Sequence, residues 1–468
     1  MRTLDELREH FPLIDFNEEY IKVLSLLEKN DTHLNIIGEA GSGKTTLLGI
    51  IKYALSNYTV ITCATTGVAS ALLNNDNPDI KATTLHSVFK IKPQDIYGQG
   101  LGSTEKVDSN TSTIIEKMDY LIIDECSMLS ASLFDYLIAK IEYVRRKAGI
   151  RELPKIILFG DIMQLPPVIK DQPEIIKYYE DLYNGNYYYF NSNKFNDYNF
   201  ETICLKQNYR QSEDTQFRSI LNRIRVGKVT DEDLVILNSH VVDDCEWLAD
   251  HENSLRICTT VKNVEIHNRV ALDMFDTPPI SFYPKIIGDF RLSPEYKSGN
   301  YPDVLTLKVG VPVMITRNDL SESHEYVNGD MGTLIECDID NRKVVVKLAN
   351  SDKIVCVPDF TTETYDYEVG RNNSGTITVT PHCTGAYTNI AVKVCASATI
   401  HKTQGLTISG FGLFDKGKPN GWIPESGMYV ALSRFKELNH LGLVYPINKK
   451  DIKVNKEALA FLRKLGLE

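Results

Sequence analysis

Apolar-rich runs too short for a helix recur along the first part of the chain, at Leu34–Ile37, Val60–Cys63, Tyr120–Ile123 and Ile156–Phe159, and several end directly in glycine or polar residues. Stretches with helical spacing separate them. That alternation predicts strands of a parallel α/β sheet, in which ligands gather at the carboxyl ends of the strands. Ahead of the first run, Ile21, Leu24 and Leu27 share one helical face, so residues 1–30 are expected to supply a helix or two packed beside it. Between Lys90 and Asn110 the pattern dissolves into PQDIYGQGLGSTEKVDSN, read as a small insertion at about 88–115. A second alternating region starts near Asn191 and runs through Leu255–Thr259 and the helix-like stretch after Lys262.

Beyond about Pro278 the texture changes. VPVMITRNDL, MGTLIECDID, RKVVVKLAN and DKIVCVPDF are short β segments punctuated by Asn328-Gly329 and Asp340-Asn341 turns, the pattern of a small antiparallel barrel. Near Ala386 the α/β texture resumes. The expected organisation is a first α/β domain over 1–190, a second over 191–279 and 386–468, and a barrel inserted at 280–385.

Composition narrows the setting. With 43% hydrophobic and 24% charged residues over 468 positions, the chain has a soluble globular composition, and no run approaches the roughly 20 apolar residues of a membrane span. The opening MRTLDELREHF lacks the apolar core of a secretory signal. Nine cysteines lie singly with no C-x-x-C pair, which favours a reducing compartment (cytoplasm, nucleoid or nucleus) over a zinc site or disulfide framework. A net charge of −11 argues mildly against a nucleic-acid partner, although contacts confined to one channel would escape that average. The cluster Arg145, Arg146, Lys147, Arg151, Lys155 reads as a solvated helix end and following loop. NYYYF at 186–190 reads as a buried strand or core wedge rather than a base-stacking platform, because nothing basic interleaves with its tyrosines.

The sharpest chemistry lies in IIGEAGSGKTTLL, residues 36–48, which fits G-x-x-x-x-G-K-[ST] between a strand and a helix. Gly38, Ala40, Gly41, Ser42, Gly43, Lys44, Thr45 and Thr46 would cradle phosphates, with Lys44 on the β and γ groups and the Thr45 hydroxyl on Mg²⁺. The strand Leu121–Ile123 then runs into two carboxylates. Asp124 would hold Mg²⁺ through its water shell, and Glu125 would polarise the attacking water. A third strand ends in GDIMQLPP, where a stiff Pro-Pro segment pins Gln164 for contact with a γ-phosphate.

The series GEAGSGKTT, ATTGVASALL, TTLHSVF, LIIDECSML, GDIMQLPPV, LKQNYRQ, ATIHKTQGLT and YVALSR resembles, in order and over residues 38 to about 434, the motif set of superfamily-one DNA helicases. It most resembles the Pif-type branch, close to RecD-like and Dda-like enzymes. LFDYLIAKIEYVRRK is similar to the helix that marks the branch. The resemblance implies two RecA-like domains, a Src-homology-three-like inserted barrel, ATP and Mg²⁺ as cofactors, and 5′-to-3′ travel on single-stranded DNA with unwinding at duplex junctions. G-quadruplexes stay open as a further substrate. It implies a protein monomeric without ligand. It also implies that Arg210 and Arg434 reach the γ-phosphate from the second domain. Thr66, Gly67, Thr84 and His86 in the first domain, and Thr259, His401, Lys402 and Thr403 in the second, would hold the strand, while Gln404 and Gly405 would face both DNA and nucleotide. Phe89 would stack on a base, support a strand-separating pin or belong to the core. Where the family carries an adenine-reading Gln ahead of the P-loop, Asn17-Glu18-Glu19-Tyr20 places Tyr20, which would stack on a base but cannot reproduce a two-sided amide contact. A DNA-stimulated translocase that does not unwind, a scaffold with a relic nucleotide site and a preference for RNA are the rival readings.

Overall fold

The computed structural model describes the chain apart from residues 30–31, 67–68, 71–72, 75–78, 92–95, 97–106, 211–213, 252–253, 298–300, 318, 320, 322–324, 327–329, 350–352, 372–376, 409 and 468. The expected insertion at 88–115 falls largely on these, and so lies outside the described residues over 92–95 and 97–106. The described part of it ends in a helix, Ser109–Lys117, capped by the Asp108 carboxylate.

Strands β1 (His33–Gly38), β2 (Val60–Ala64), β3 (Thr83–Thr84), β4 (Tyr120–Asp124), β5 (Lys155–Gly160) and β6 (Phe200–Leu205) form one parallel sheet in the order β3-β2-β4-β5-β1-β6. Alternate residues of each strand serve opposite faces. Leu34, Ile36, Ile122, Ile157 and Phe159 pack with the N-terminal helices and the helix Lys44–Ala54. Ile37, Ile61, Leu121, Ile123, Ile156 and Leu158 pack on the other side, with the helix Ala131–Lys147.

β7 (Leu255–Cys258) opens a second sheet, but the chain leaves it for β8 (Ile280–Phe282), β9 (Lys285–Gly288), β10 (Leu305–Leu307), β11 (Pro312–Ile315), β12 (Met331–Asp338), β13 (Lys343–Leu348), β14 (Ile354–Arg371), β15 (Ile377–Ile390) and β16 (Val392–Val394). It returns with β17 (Ser397–Thr399), β18 (Gly412–Asp415) and β19 (Leu441–Leu443), completing a parallel sheet in the order β17-β7-β18-β19. The excursion builds a seven-stranded antiparallel sheet, β16-β11-β12-β13-β14-β15-β9, around its own core of Val313, Ile315, Leu334, Val344, Val346 and Val355. Among the described residues its pairing runs from β16 to β9 without closing.

Two expected boundaries move. β6 pairs with β1 along its whole length, so the first sheet extends to Leu205 rather than stopping at 190. As an edge strand buried unevenly, FETICL lacks the continuous apolar run that marks the inner strands. The antiparallel unit likewise continues past 386, because β15 reaches Ile390 and β16 pairs with β11.

The basic cluster is not a solvated helix end throughout. Arg145 is buried and donates to the carbonyls of Ile115 (3.0 Å), Glu152 (2.6 Å) and Met118. Lys155 donates to Leu26, Leu27 and Lys29, closing the C-terminal end of the helix Glu18–Leu27. Carbonyls left open by helix and turn ends make these buried charges tolerable. Tyr188, Tyr189 and Phe190 of NYYYF are buried, with Phe190 stacked on Phe461 of the C-terminal helix Lys456–Lys464 at 4.2 Å.

Candidate nucleotide and nucleic-acid site

The P-loop turns through left-handed backbone at Gly41 (φ 82°) and Gly43 (φ 81°), a conformation that glycine adopts without steric cost. At Gly43 a Cβ would come 2.4 Å from the Tyr20 hydroxyl oxygen. The helix Lys44–Ala54 begins with no side-chain cap, and Thr45 and Thr46 are exposed there, so its first N–H groups and positive dipole end face the loop. The loop is held from outside. Tyr20 donates to the Gly43 carbonyl (2.8 Å), Asn208 Nδ2 to Ala40 O (2.9 Å), and the Tyr209 N–H to Gly41 O (2.8 Å). Lys44 Nζ donates to Gly38 O (2.9 Å), Glu39 O (2.8 Å) and Ser42 Oγ (3.3 Å). Burial pulls its ammonium below the ordinary value, and Asp161, Glu125 and Asp124 counter that pull.

Asp124 closes β4 and Glu125 follows in left-handed backbone (φ 52°, ψ 44°), a conformation costing a non-glycine residue on the order of 1–2 kcal/mol and concentrated at functional sites. Burial raises the Glu125 carboxyl, partly offset by Lys44 and Arg434, which suits a group that must take a proton. Its Oε2 accepts from Gln404 Nε2 at 3.3 Å.

Both arginines expected from the second unit lie here. Arg210 donates from Nη1 to Ser433 O (3.0 Å), and burial, reinforced by Arg434, pushes it down to about 9. Arg434, 1% exposed, donates to the carbonyls of Val430 (2.8 Å), Thr403 (3.3 Å) and Leu406 (3.1 Å) and to Ser433 Oγ (2.8 Å). These contacts fix the plane of the guanidinium. Gln164 is buried, with Nε2 3.5 Å from Asp161 Oδ2 and with Oε1 lacking a partner among the described residues. An orphaned acceptor beside Asp161 is chemically suited to hold a water proton.

A cavity of about 170 Å³ joins the two units, lined by Thr66, Ala69, Glu125 and Met128 from one side and His401, Lys402 and Gln404 from the other. Thr66, His401, Lys402 and Gln404 are therefore brought together next to the Glu125 carboxylate. Thr259 is half-buried past the end of β7, and Gly405 is exposed at φ 81°. His86 is half-buried, its imidazole pulled down by burial. Gly67 lies outside the described residues. Three expected strand contacts are corrected. Phe89 is fully buried in the core of the first unit. Thr84 is 3% exposed and accepts the Ser87 N–H as a helix N-cap (3.3 Å). Thr403 is 0% exposed, with its hydroxyl bonded to Ile400 O. Tyr20 is also too buried, at 1% exposure, to stack on a base.

Sequence reading missed Asp161, Tyr209 and Tyr429. Asp161 follows the end of β5 as Asp124 closes β4, a positional signal that could have found it. Tyr209 stands exposed over Gly43 at the rim of the loop. Tyr429 lies inside the YVALSR tract, but nothing local marks its partners.

A phosphate loop, two carboxylates at the end of β4, one arginine just beyond β6 and a second just beyond the helix Gly427–Leu432 define a nucleoside triphosphatase whose site is shared between two α/β units. The family described as PIF1-like helicase matches residues 17–234. The chain is 26% identical to ATP-dependent DNA helicase Pif1 of Campylobacter jejuni, over 89% of this chain and 90% of that protein. It is 25% identical to the protein of the same name in Bdellovibrio bacteriovorus, over 96% and 92%. Among solved structures, Bacteroides Pif1 in complex with ADP-AlF4 superposes with a TM-score of 0.82, at 26% identity and 97% coverage of both chains. Bacteroides Pif1 bound to ssDNA gives 0.62, at 25% identity and 96% and 97% coverage. The chain is a relative of the PIF1-like helicases.

Proposed function

We propose that the chain is an ATP-dependent DNA helicase that travels 5′ to 3′ on single-stranded DNA and opens duplex junctions, its two parallel-sheet units acting as RecA-like domains. The observation that carries this reading is the shared cavity, where Gln404 contacts Glu125 while His401 and Lys402 stand beside it. A strand phosphate drawn to Lys402 would move the helix end that carries Gln404, and so change the hydrogen bond on the hydrolytic carboxylate. Hydroxyls, a lysine and backbone N–H groups suit phosphate contacts, which position a strand without reading its sequence.

In hydrolysis Glu125 takes the proton of the attacking water and Gln164 Oε1 orients that water. Lys44, Arg210 and Arg434 balance the charge that develops on the transferred phosphoryl. Thr45 and Asp124 fit Mg²⁺, one an exposed hydroxyl at the start of the P-loop helix and the other a carboxylate in electrostatic contact with Lys44. The ion would supply charge neutralisation on the phosphates. Because Arg434 comes from the second unit and Arg210 is held to it through Ser433 O, hydrolysis depends on closure of the cleft. Separating a base pair costs on the order of 1.4 kcal/mol of stacking per step, a load within reach of such a motor. The antiparallel unit is read as the Src-homology-three-like insertion of this branch, which would contact the strand or junction.

The test is strand displacement with ATP and Mg²⁺ on duplexes bearing a 5′ or a 3′ single-stranded tail, with Lys44→Ala as control. Unwinding of the 5′-tailed duplex alone, lost in the variant, supports the reading. Unwinding from the 3′ tail overturns the polarity, and DNA-stimulated hydrolysis without displacement leaves a translocase.

A further inference from the structure

One buried chain of hydrogen bonds crosses from the second unit into the phosphate loop itself. The Ala40 N–H donates to the Tyr429 hydroxyl (3.0 Å), and that hydroxyl lies 2.8 Å from Asp161 Oδ2. Asp161 Oδ1 accepts from Arg225 Nη2 (2.9 Å), Arg225 Nε (3.3 Å) and the Met163 N–H (3.2 Å). Asp161 is 0% exposed and Tyr429 is 3% exposed. Ala40 and Asp161 belong to the first unit. Arg225 ends the helix Thr215–Arg225 and Tyr429 sits in the helix Gly427–Leu432, two helices that pack together in the second.

The direction of each bond is fixed. Asp161 is ionised beside Arg225, so it can only accept, and the Tyr429 hydroxyl spends its proton there. Its oxygen is then left to accept from Ala40. The same carboxylate acts electrostatically on Lys44 and touches the Gln164 amide. A single carboxylate therefore faces the phosphate-binding lysine and the water-orienting glutamine on one side, and the second unit's tyrosine and arginine on the other.

We propose that Tyr429, Asp161 and Arg225 form an interdomain latch of positioning residues that sets the phosphate loop, Lys44 and Gln164 for hydrolysis only while the cleft is closed. Opening the cleft withdraws Tyr429 and Arg225 together. The Ala40 N–H then loses its acceptor and Asp161 its two donors from the second unit, which leaves its charge on Lys44 and Gln164. The inference rests on the helicase reading above, since strand binding is what would drive the cleft through this cycle.

Tyr429→Phe removes one hydroxyl and keeps the buried ring; Arg225→Lys keeps the charge and removes the two-pronged contact. In steady-state hydrolysis with saturating single-stranded DNA, each is expected to lower kcat about tenfold while KM for ATP moves by less than about twofold, as for an interaction made only in the closed state. The midpoint of thermal unfolding should stay within a few degrees of the parent. Unchanged kcat in both variants overturns the latch. So does a loss of kcat matched by an equal rise in KM and a large fall in melting temperature, which marks simple damage to the loop. If Tyr429→Phe fails to fold, Arg225→Lys carries the same readout. A parent protein that hydrolyses ATP at one rate with and without DNA overturns the helicase reading and the latch with it, an outcome distinct from a stimulated parent with unaffected variants.

Discussion

Tyr20 illustrates how one side chain can alter selectivity without touching the chemistry. Its hydroxyl is committed to the Gly43 carbonyl and its ring is enclosed, so the position supplies no two-sided amide to a base. A site built to hydrogen-bond its substrate rejects analogues strongly, and one without such groups does not. We expect kcat/KM for GTP and CTP to fall within about tenfold of that for ATP, a difference of roughly 1.4 kcal/mol. Hydrolysis assays across nucleotides check this, and strict ATP preference would contradict it. His33 carries a second residue-scale prediction. Its Nδ1 accepts the Ile156 N–H at 3.0 Å, and burial, with Lys155 adding to it, pushes the imidazole down to about 4 from 6.5. The folded state therefore holds a neutral ring. Above pH 6.5 the ring is neutral folded or unfolded and carries no penalty. As pH falls from 6.5 toward 4 the unfolded chain takes up the proton first, and stability declines by up to about 3 kcal/mol. Urea unfolding at pH 7 and pH 4.5 should show a loss that is smaller in His33→Asn, whose amide oxygen can accept the same N–H without titrating.

At the scale of elements, the P-loop shows which parts of the site a sequence can reveal. Strand, glycine turn and helix are contiguous, so spacing alone identifies Lys44 and Thr45, and Asp124-Glu125 follows from an apolar run ending in carboxylates. The supports of the loop come from far along the chain. Asn208, Tyr209 and Tyr429 hold Ala40 and Gly41 through bonds that no local pattern encodes. The same distance explains the missed Asp161, whose meaning depends on Arg225 and Tyr429. Thr84 and Thr403 failed in the opposite way, because a motif tract mixes residues that meet ligand with residues that form its frame. Two demands meet at Gly43: left-handed backbone and a tyrosine oxygen where a Cβ would sit. Gly43→Ala should displace Tyr20 or the loop and destabilise the protein by about 1–2 kcal/mol from the backbone term alone. Nucleotide affinity, followed with a fluorescent ATP analogue, should fall at least about tenfold. Wild-type affinity would show that the loop tolerates the added carbon.

Taken as a whole, the molecule is acidic, with a net charge of −11, yet its relatives are named DNA helicases. On the proposed reading the cavity reconciles these facts, because strand contacts concentrated there need few charges. Around it stand Lys402 and, in electrostatic contact with it, Lys393 of β16, the strand that carries the antiparallel unit back toward the second sheet. Of the other polar lining residues, Thr66, His401 and Gln404 offer neutral groups, and the Glu125 carboxyl is engaged by Gln404. A protein that binds through evenly spread lysines and arginines releases many counterions, and its affinity collapses with salt. Two cations on a single strand give a slope of log K against log salt near −1.4, at about −0.7 for each phosphate neutralised. We therefore expect a slope no steeper than about −3 between roughly 50 and 200 mM salt, read by fluorescence anisotropy on a poly-dT oligonucleotide. Lys402→Ala should make it shallower by nearly one such increment and weaken binding alike on every sequence. A slope steeper than about −5 would mean that the strand runs over a basic surface elsewhere on the molecule, and the cavity would lose its place as the main strand-binding site.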